Sequence, residues 1–215
     1  MIKVINRAFI VFFMFFLVPA LQANQRVVEE SIESNLVLGN PKSRIKIYVI
    51  SDWFCTSCKK IEPRINEIYN DLKNKAAFYF IDYPLHRDSA NFTPYHLAFL
   101  MGEKNHYLRA RDALLELSKG TTNPTDENIS ELAHKNQLRF TPLSYEKIRK
   151  GSDYFEEVRR HYKVAATPTI VVVNAENDNF ETLTGSEIDK GNIEEAVRSV
   201  LGQVKKKKAW YKFWK

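Results

Sequence analysis

The hydrophobic period of this chain switches between strand and helix in a fixed order, and that order limits the folds open to it. Arg44 to Ile50 alternates charged and β-branched residues and then turns wholly apolar, as a strand entering a core does. From Cys55 onward, Ile61, Ile65, Ile68 and Leu72 recur at helical spacing. Ala76 to Tyr83, rich in aromatics, reads as a second strand, so the segment is a βαβ unit. The period then stays helical through Phe92–Leu100, Tyr107–Leu117 and Ile129–His134, the last after an Asn123-Pro124-Thr125 turn. Ser144 to Tyr162 reads as one helix or as a pair interrupted at Gly151. Thr169–Val173 and Phe180–Leu183 return to strand, Gly185 ends the second, and Ile193–Leu201 closes with an amphipathic helix. The prediction is an α/β fold of a βαβ half and a ββα half, with a helical subdomain inserted at about residues 84–163. Asn24 to Asn40 is taken as an entry segment that precedes the first clear element.

The two ends carry different signals. Lys3 and Arg7 form a positive start, Ala8 to Val18 is an unbroken run of eleven apolar residues, and Ala20 or Ala23 offers a small residue after Pro19. This is the pattern of a signal peptide over residues 1–23. The run is short for a membrane span, which needs about 20 apolar residues. An uncleaved anchor is the alternative, and either way the body is expected outside the cytoplasm. Residues 24–204 are expected to form the folded domain and residues 205–215 a separate tail. The formal charge of +6 loses two with Lys3 and Arg7 and six with the lysines of the tail, leaving a body of −2. The domain is therefore mildly acidic. The tail interleaves six lysines with Trp210, Tyr211, Phe213 and Trp214, a composition suited to a membrane interface. A solvated tail and a docking segment for a partner protein are the other readings. An exported location argues against nucleic acid.

There are two cysteines, Cys55 and Cys58. Exported proteins sit where disulfides form and persist, but a bridge across two residues closes too short a loop to stabilise much. The pair is therefore expected to serve chemistry. It opens a helix, whose unpaired N–H groups and dipole favour a thiolate, and thiolate is the reactive form of cysteine. Cys55, at the tip, is expected to attack, and Cys58, one turn on, to resolve the mixed disulfide. A structural zinc needs four ligands, and His86, His96, His106, His134 and His161 are scattered with no close pair. No metal and no cofactor are expected.

The segment Trp53-Phe54-Cys55-Thr56-Ser57-Cys58-Lys59-Lys60-Ile61-Glu62-Pro63 resembles the active-site segment of the thioredoxin superfamily, with a helix-kinking proline five residues after the second cysteine. Val164-Ala165-Ala166-Thr167-Pro168-Thr169, directly before a β-branched strand, resembles that superfamily's cis-proline loop. With the signal peptide and the helical insertion, the chain is most similar to DsbA-like periplasmic thiol–disulfide oxidoreductases, over most of Arg44 to Leu201. The resemblance implies a thioredoxin-like fold, a central mixed sheet flanked by helices, with a cis Thr167–Pro168 bond beside Cys55. It implies catalysis by Cys55 and Cys58 as a redox disulfide, and substrate binding by Trp53, Thr167 and Pro168. The partners it implies are the thiols and disulfides of exported proteins and a separate redox partner protein, with the protein itself a monomer.

Three departures bear on the direction of electron flow. Thr56-Ser57 holds no histidine, where strongly oxidising DsbA proteins have Pro-His. Val49 stands where thioredoxin and DsbA carry a buried acid, and Asp52 reads as a solvated loop residue rather than its replacement. Thr167 before the proline matches the DsbC and DsbG branch, but the segment ahead of Arg44 is too short for that branch's dimerisation domain. An intermediate to reducing potential is expected. A thioredoxin-fold chaperone or binding module, or a metal-handling protein using the cysteines as ligands, are the competing readings.

Overall fold

The middle strands of the sheet are buried on both faces, which is what near-continuous apolar runs require. The structure is a computed structural model and describes residues 32–203. The expected signal segment, the start of the entry segment and the basic tail lie outside the described residues. Among the described residues, those from Leu36 onward form one compact unit, and residues 32–35 ahead of it are helical.

The sheet has five strands in the order β1-β3-β2-β4-β5. These are β1 (Leu38–Gly39), β2 (Ile45–Ser51), β3 (Ala77–Asp82), β4 (Thr169–Asn174) and β5 (Phe180–Thr184). β2 and β3 are parallel, with Ser51 opposite Asp82, and every other pairing is antiparallel. A parallel pair needs a long crossover, and α1 (Thr56–Leu72) supplies it. Ile47, Ile50, Phe78, Phe80, Ile170, Val171 and Val172 are fully buried, each such side chain contributing roughly 1.5–3 kcal/mol. The edges are managed differently. β5 alternates exposed and half-buried positions. β1, absent from the expected elements, is two residues long, and short strands limit edge-to-edge association. Gly39 ends it at φ +72°, where a Cβ would lie 2.6 Å from the Ala76 carbonyl oxygen.

Between β3 and β4 come α2 (Thr93–Gly102), α3 (Tyr107–Leu117), α4 (Asp126–Lys135) and α5 (Tyr145–His161), with a 3-10 turn at Arg87–Phe92. This is the expected helical insertion, and α6 (Lys190–Val200) closes the chain. Its core joins Phe92, Phe99, Ala110, Leu114, Ile129, Leu132 and Leu138 to Trp53 of the loop after β2. The insertion is thus built around a residue of the active-site segment. A second tie is polar: Arg111 of α3 forks onto the Glu62 carboxylate of α1 and donates to Ser51 Oγ of β2 at 2.7 Å. All three side chains are buried.

α5 runs through Gly151 without a break, so of the two readings the single helix holds. The glycine is there for space: a Cβ at 151 would lie 2.6 Å from a methyl of Leu97, itself fully buried on α2. Alanine would gain about 1 kcal/mol of helix propensity but overpack this contact, at a cost of about 1–3 kcal/mol. Gly151→Ala is expected to lower the denaturation midpoint, and combining it with Leu97→Val to recover part of the loss. A midpoint raised by Gly151→Ala alone would show that α2 and α5 are not in this contact.

Candidate active site

β2 ends at Ser51, and the chain turns sharply into α1. Asp52 makes the turn: its Oδ1 accepts from the amides of Phe54 and Cys55 at 2.8 and 3.0 Å, and its carbonyl accepts from Cys55 N at 3.2 Å. Asx side chains make such turns by bonding amides two or three residues on. Cys55 is the N-cap residue of α1, in extended conformation, and its sulfur accepts from Cys58 N at 3.4 Å. A sulfur thus fills the role that a hydroxyl or carboxylate oxygen plays at most helix starts. Pro63 lies inside α1, where its ring removes the amide that would pair with the Lys59 carbonyl.

Across the loop, the Thr167–Pro168 peptide bond is cis. The Cys55 thiol donates to the Thr167 carbonyl at 3.6 Å, over 112 residues of sequence. Thr167 is half-buried and Pro168 buried, with the Pro168 carbonyl accepting from Gly185 N at 3.2 Å. The structure therefore brings Cys55, Cys58, Thr167 and Pro168 together.

The two cysteines, both free thiols, are in different environments. Burial works to raise the Cys55 pKa, but donors outweigh it: the Cys58 amide, the Thr167 side chain, the Cys58 thiol and the Ser57 amide together bring it below the ordinary cysteine value. Burial pushes Cys58 up to about 12, despite hydrogen bonds that include the Asp52 amide. Cys58 is 2% exposed and Cys55 9%. The arrangement offers one thiolate-prone sulfur that is the more accessible of the two and one protected thiol behind it.

Two expectations are corrected. Trp53, expected to bind substrate, is 2% exposed. Its ring stacks on Phe92 with centroids 5.7 Å apart, meets His96 edge-on, and carries the Arg111 guanidinium 5.3 Å from its centroid. Alternation along the chain sends Trp53 into the insertion core, and the half-buried aromatic beside Cys55 is Phe54, with Lys59 Nζ 5.3 Å above it. Asp52, expected in solvent, is 1% exposed. It is held by Ser89 Oγ and by His86, whose amide donates to Oδ2 at 2.8 Å and whose Nδ1 lies 2.9 Å from Oδ1. Ser89 and His86 come from the insertion, more than 30 residues away, and nothing local predicts them. The turn itself was legible: an Asp three residues before a helix N-cap is an Asx-turn signal.

Behind the loop, buried Asp82 lies 2.8 Å from His96 Nδ1, and His96 Nε2 lies 2.7 Å from the Tyr107 hydroxyl. Although burial works to raise the Asp82 pKa, His96, Trp53 and Arg111 hold it below the usual carboxylate value. Val49 is buried and apolar, so no acid stands at its position. Among the described residues, no group of three or more His, Cys, Asp or Glu side chains is placed to hold a metal ion. No helix among them is long and apolar enough to cross a membrane.

This geometry has relatives. The thioredoxin family model Thioredoxin_4 matches residues 30–190, and the chain belongs to that family. Its fold and cysteine pair place it in the class of protein thiol–disulfide oxidoreductases. DsbA2 from Pseudomonas aeruginosa superposes with a TM-score of 0.59 at 17% identity, over 77% of this chain and 93% of that one. Oxidised BdbD from Bacillus subtilis gives 0.59 at 21% identity, over 78% and 92%. A linker-deletion variant of ScsC from Proteus mirabilis gives 0.56 at 16% identity, over 94% and 99%. Identities this low establish the shared fold, with its helical insertion. The curated proteins compared give no match.

The split between the cysteines predicts selective alkylation. One equivalent of iodoacetamide at neutral pH should label Cys55 and spare Cys58. The rate should climb with pH and reach half its maximum below the ordinary cysteine value, because only thiolate reacts. Equal labelling of both sulfurs, or a half-maximal rate reached only above that value, would contradict the assignment.

Proposed function

We propose that the protein exchanges disulfides with exported proteins, in the periplasm, through the Cys55–Cys58 pair. The observation that carries this is the Cys55 sulfur at the N-cap of α1 against the cis Thr167–Pro168 loop, with the more deeply buried Cys58 one turn behind it. In the reducing direction, the Cys55 thiolate attacks one sulfur of a substrate disulfide, the substrate S–S bond breaks, and the released sulfur takes up a proton. Cys58 then loses its proton and attacks Cys55, closing the Cys55–Cys58 disulfide and releasing the second substrate thiol. Two electrons and two protons pass to the substrate, and the oxidising direction is the reverse. Thr167 and Pro168 form the wall against which an extended substrate segment lies. The proximity of the Thr167 carbonyl to Cys55 supports this. The protein acts as a monomer, and a separate redox protein returns the pair to its working state.

The potential is proposed to be intermediate to reducing. Equilibration with glutathione is expected to give a value between those of DsbA, about −120 mV, and thioredoxin, about −270 mV, or near the latter. A DsbA-like value would overturn the direction. Cys58→Ser should accumulate mixed disulfides with exported proteins and Cys55→Ser should abolish exchange; exchange that survives Cys55→Ser would remove the function itself. The basic aromatic tail is proposed to touch anionic membrane surfaces. A chain ending at Gly202 should then lose co-sedimentation with anionic vesicles, and unchanged binding would refute this.

A further inference from the structure

One buried carboxyl group orders the active-site loop, and the titratable side chain that meets it from the solvent side is His86. Of the five groups on Asp52, two, the amides of Phe54 and Cys55, belong to the redox loop. The other three, His86 N, His86 Nδ1 and Ser89 Oγ, belong to the first turn of the insertion. The tip of α1 therefore holds two acidic groups side by side. The Asp52 carboxyl takes the amides of residues 54 and 55, and the Cys55 sulfur takes that of Cys58. Like charges this close disfavour each other's ionised form, and an opposite charge placed on one relieves the other. The imidazole is the group placed to do so. Its side chain is 54% exposed, whereas that of Asp52 is fully buried, so the imidazole is the member of the pair that meets solvent.

The charged groups around His86 are few. Asp52 is its ion-pair partner. Arg87 and Asp88, next to it on the 3-10 turn, are both exposed, and Cys55 lies across the shared Asp52 oxygen. We infer that His86 is a positioning residue for the cysteine pair: it acts through Asp52, and its protonation favours the Cys55 thiolate. The inference takes its purpose from the oxidoreductase reading above, but its test reads ionisation and not turnover, so the two fail separately.

With His86 protonated the Asp52–His86 pair is neutral, and Cys55 ionises against amide donors alone. When His86 loses its proton, Asp52 opposes the thiolate. His86→Asn keeps a donor near the Nδ1 position and cannot carry charge. In the reduced full chain, followed by ultraviolet thiolate absorbance, His86→Asn is expected to shift Cys55 ionisation upward by about one unit, roughly tenfold less thiolate at a given pH. In an Asp52→Asn background the same substitution is expected to change nothing. The inference is overturned if His86→Asn titrates like the parent, or shifts Cys55 equally with and without Asp52. A measurement on the unsubstituted chain guards against misfolding of Asp52→Asn. Coupling is reciprocal, so His86, followed by NMR, should lose its proton at higher pH with Cys55 free than with Cys55 alkylated and uncharged. Identical His86 titrations in the two forms would refute the coupling.

Discussion

The N–H groups of the turn into α1 have to be satisfied beside a reactive sulfur, and the arrangement of the site follows from how that is done. A helix leaves its first amides without internal partners, and an unmet buried donor costs about 1–3 kcal/mol. Here the Asp52 oxygen takes the amides of residues 54 and 55 in the turn before the helix, and the Cys55 sulfur takes that of Cys58 in its first turn. The fold thus does not add a reactive cysteine to a finished helix. The sulfur is the helix cap, and its affinity for negative charge is part of what closes the helix end. Folding and reactivity draw on the same hydrogen bonds.

The second constraint is the burial of charge behind that loop. Arg111 faces Glu62, Ser51 and the Tyr107 hydroxyl, and Tyr107 reaches Asp82 through His96. Taking such groups out of water costs several kcal/mol per ion, and removing one partner of a buried pair typically costs 3–5 kcal/mol, roughly. A chain of this kind does little for net stability. It does fix which surfaces meet, because the groups come from β2, β3, α1, α2 and α3, and each is satisfied only if the insertion sits on the sheet in one way. Trp53 enforces the same registration by packing, since its ring is in the insertion core while its backbone is in the redox loop.

What the sequence disclosed and what it withheld divide along the range of the interactions. The βαβ and ββα halves were legible because hydrophobic period reports local structure. The cysteine motif and the Thr167-Pro168 motif were legible because each is contiguous, although only their resemblance to known motifs brought them together in space. Asp52 was misjudged because its fate depends on His86 and Ser89, and a loop acid looks solvated until its donors are known. Trp53 was misjudged because an aromatic beside a reactive cysteine suits a binding surface and a core equally well, and the insertion decides between them. Gly151 suggested a break because glycine weakens helices. It is instead where α5 comes close to Leu97, which spacing within one helix does not reveal.

These long-range contacts also bear on the intermediate potential proposed for the pair. A reduced form that stabilises its thiolate makes the disulfide a stronger oxidant. For Cys55, burial opposes ionisation, and what favours it is amide and hydroxyl donors rather than a cation in the motif. The Asp52 carboxyl, required to hold the loop, adds a negative charge at the same helix tip. The site therefore balances a stabilising helix end against a destabilising neighbour. The outcome depends on the state of His86, the titratable side chain that meets that neighbour. Because His86 comes from the insertion and not from the cysteine motif, the insertion takes part in setting the chemistry of the pair, and two chains with the same four-residue motif need not share a potential.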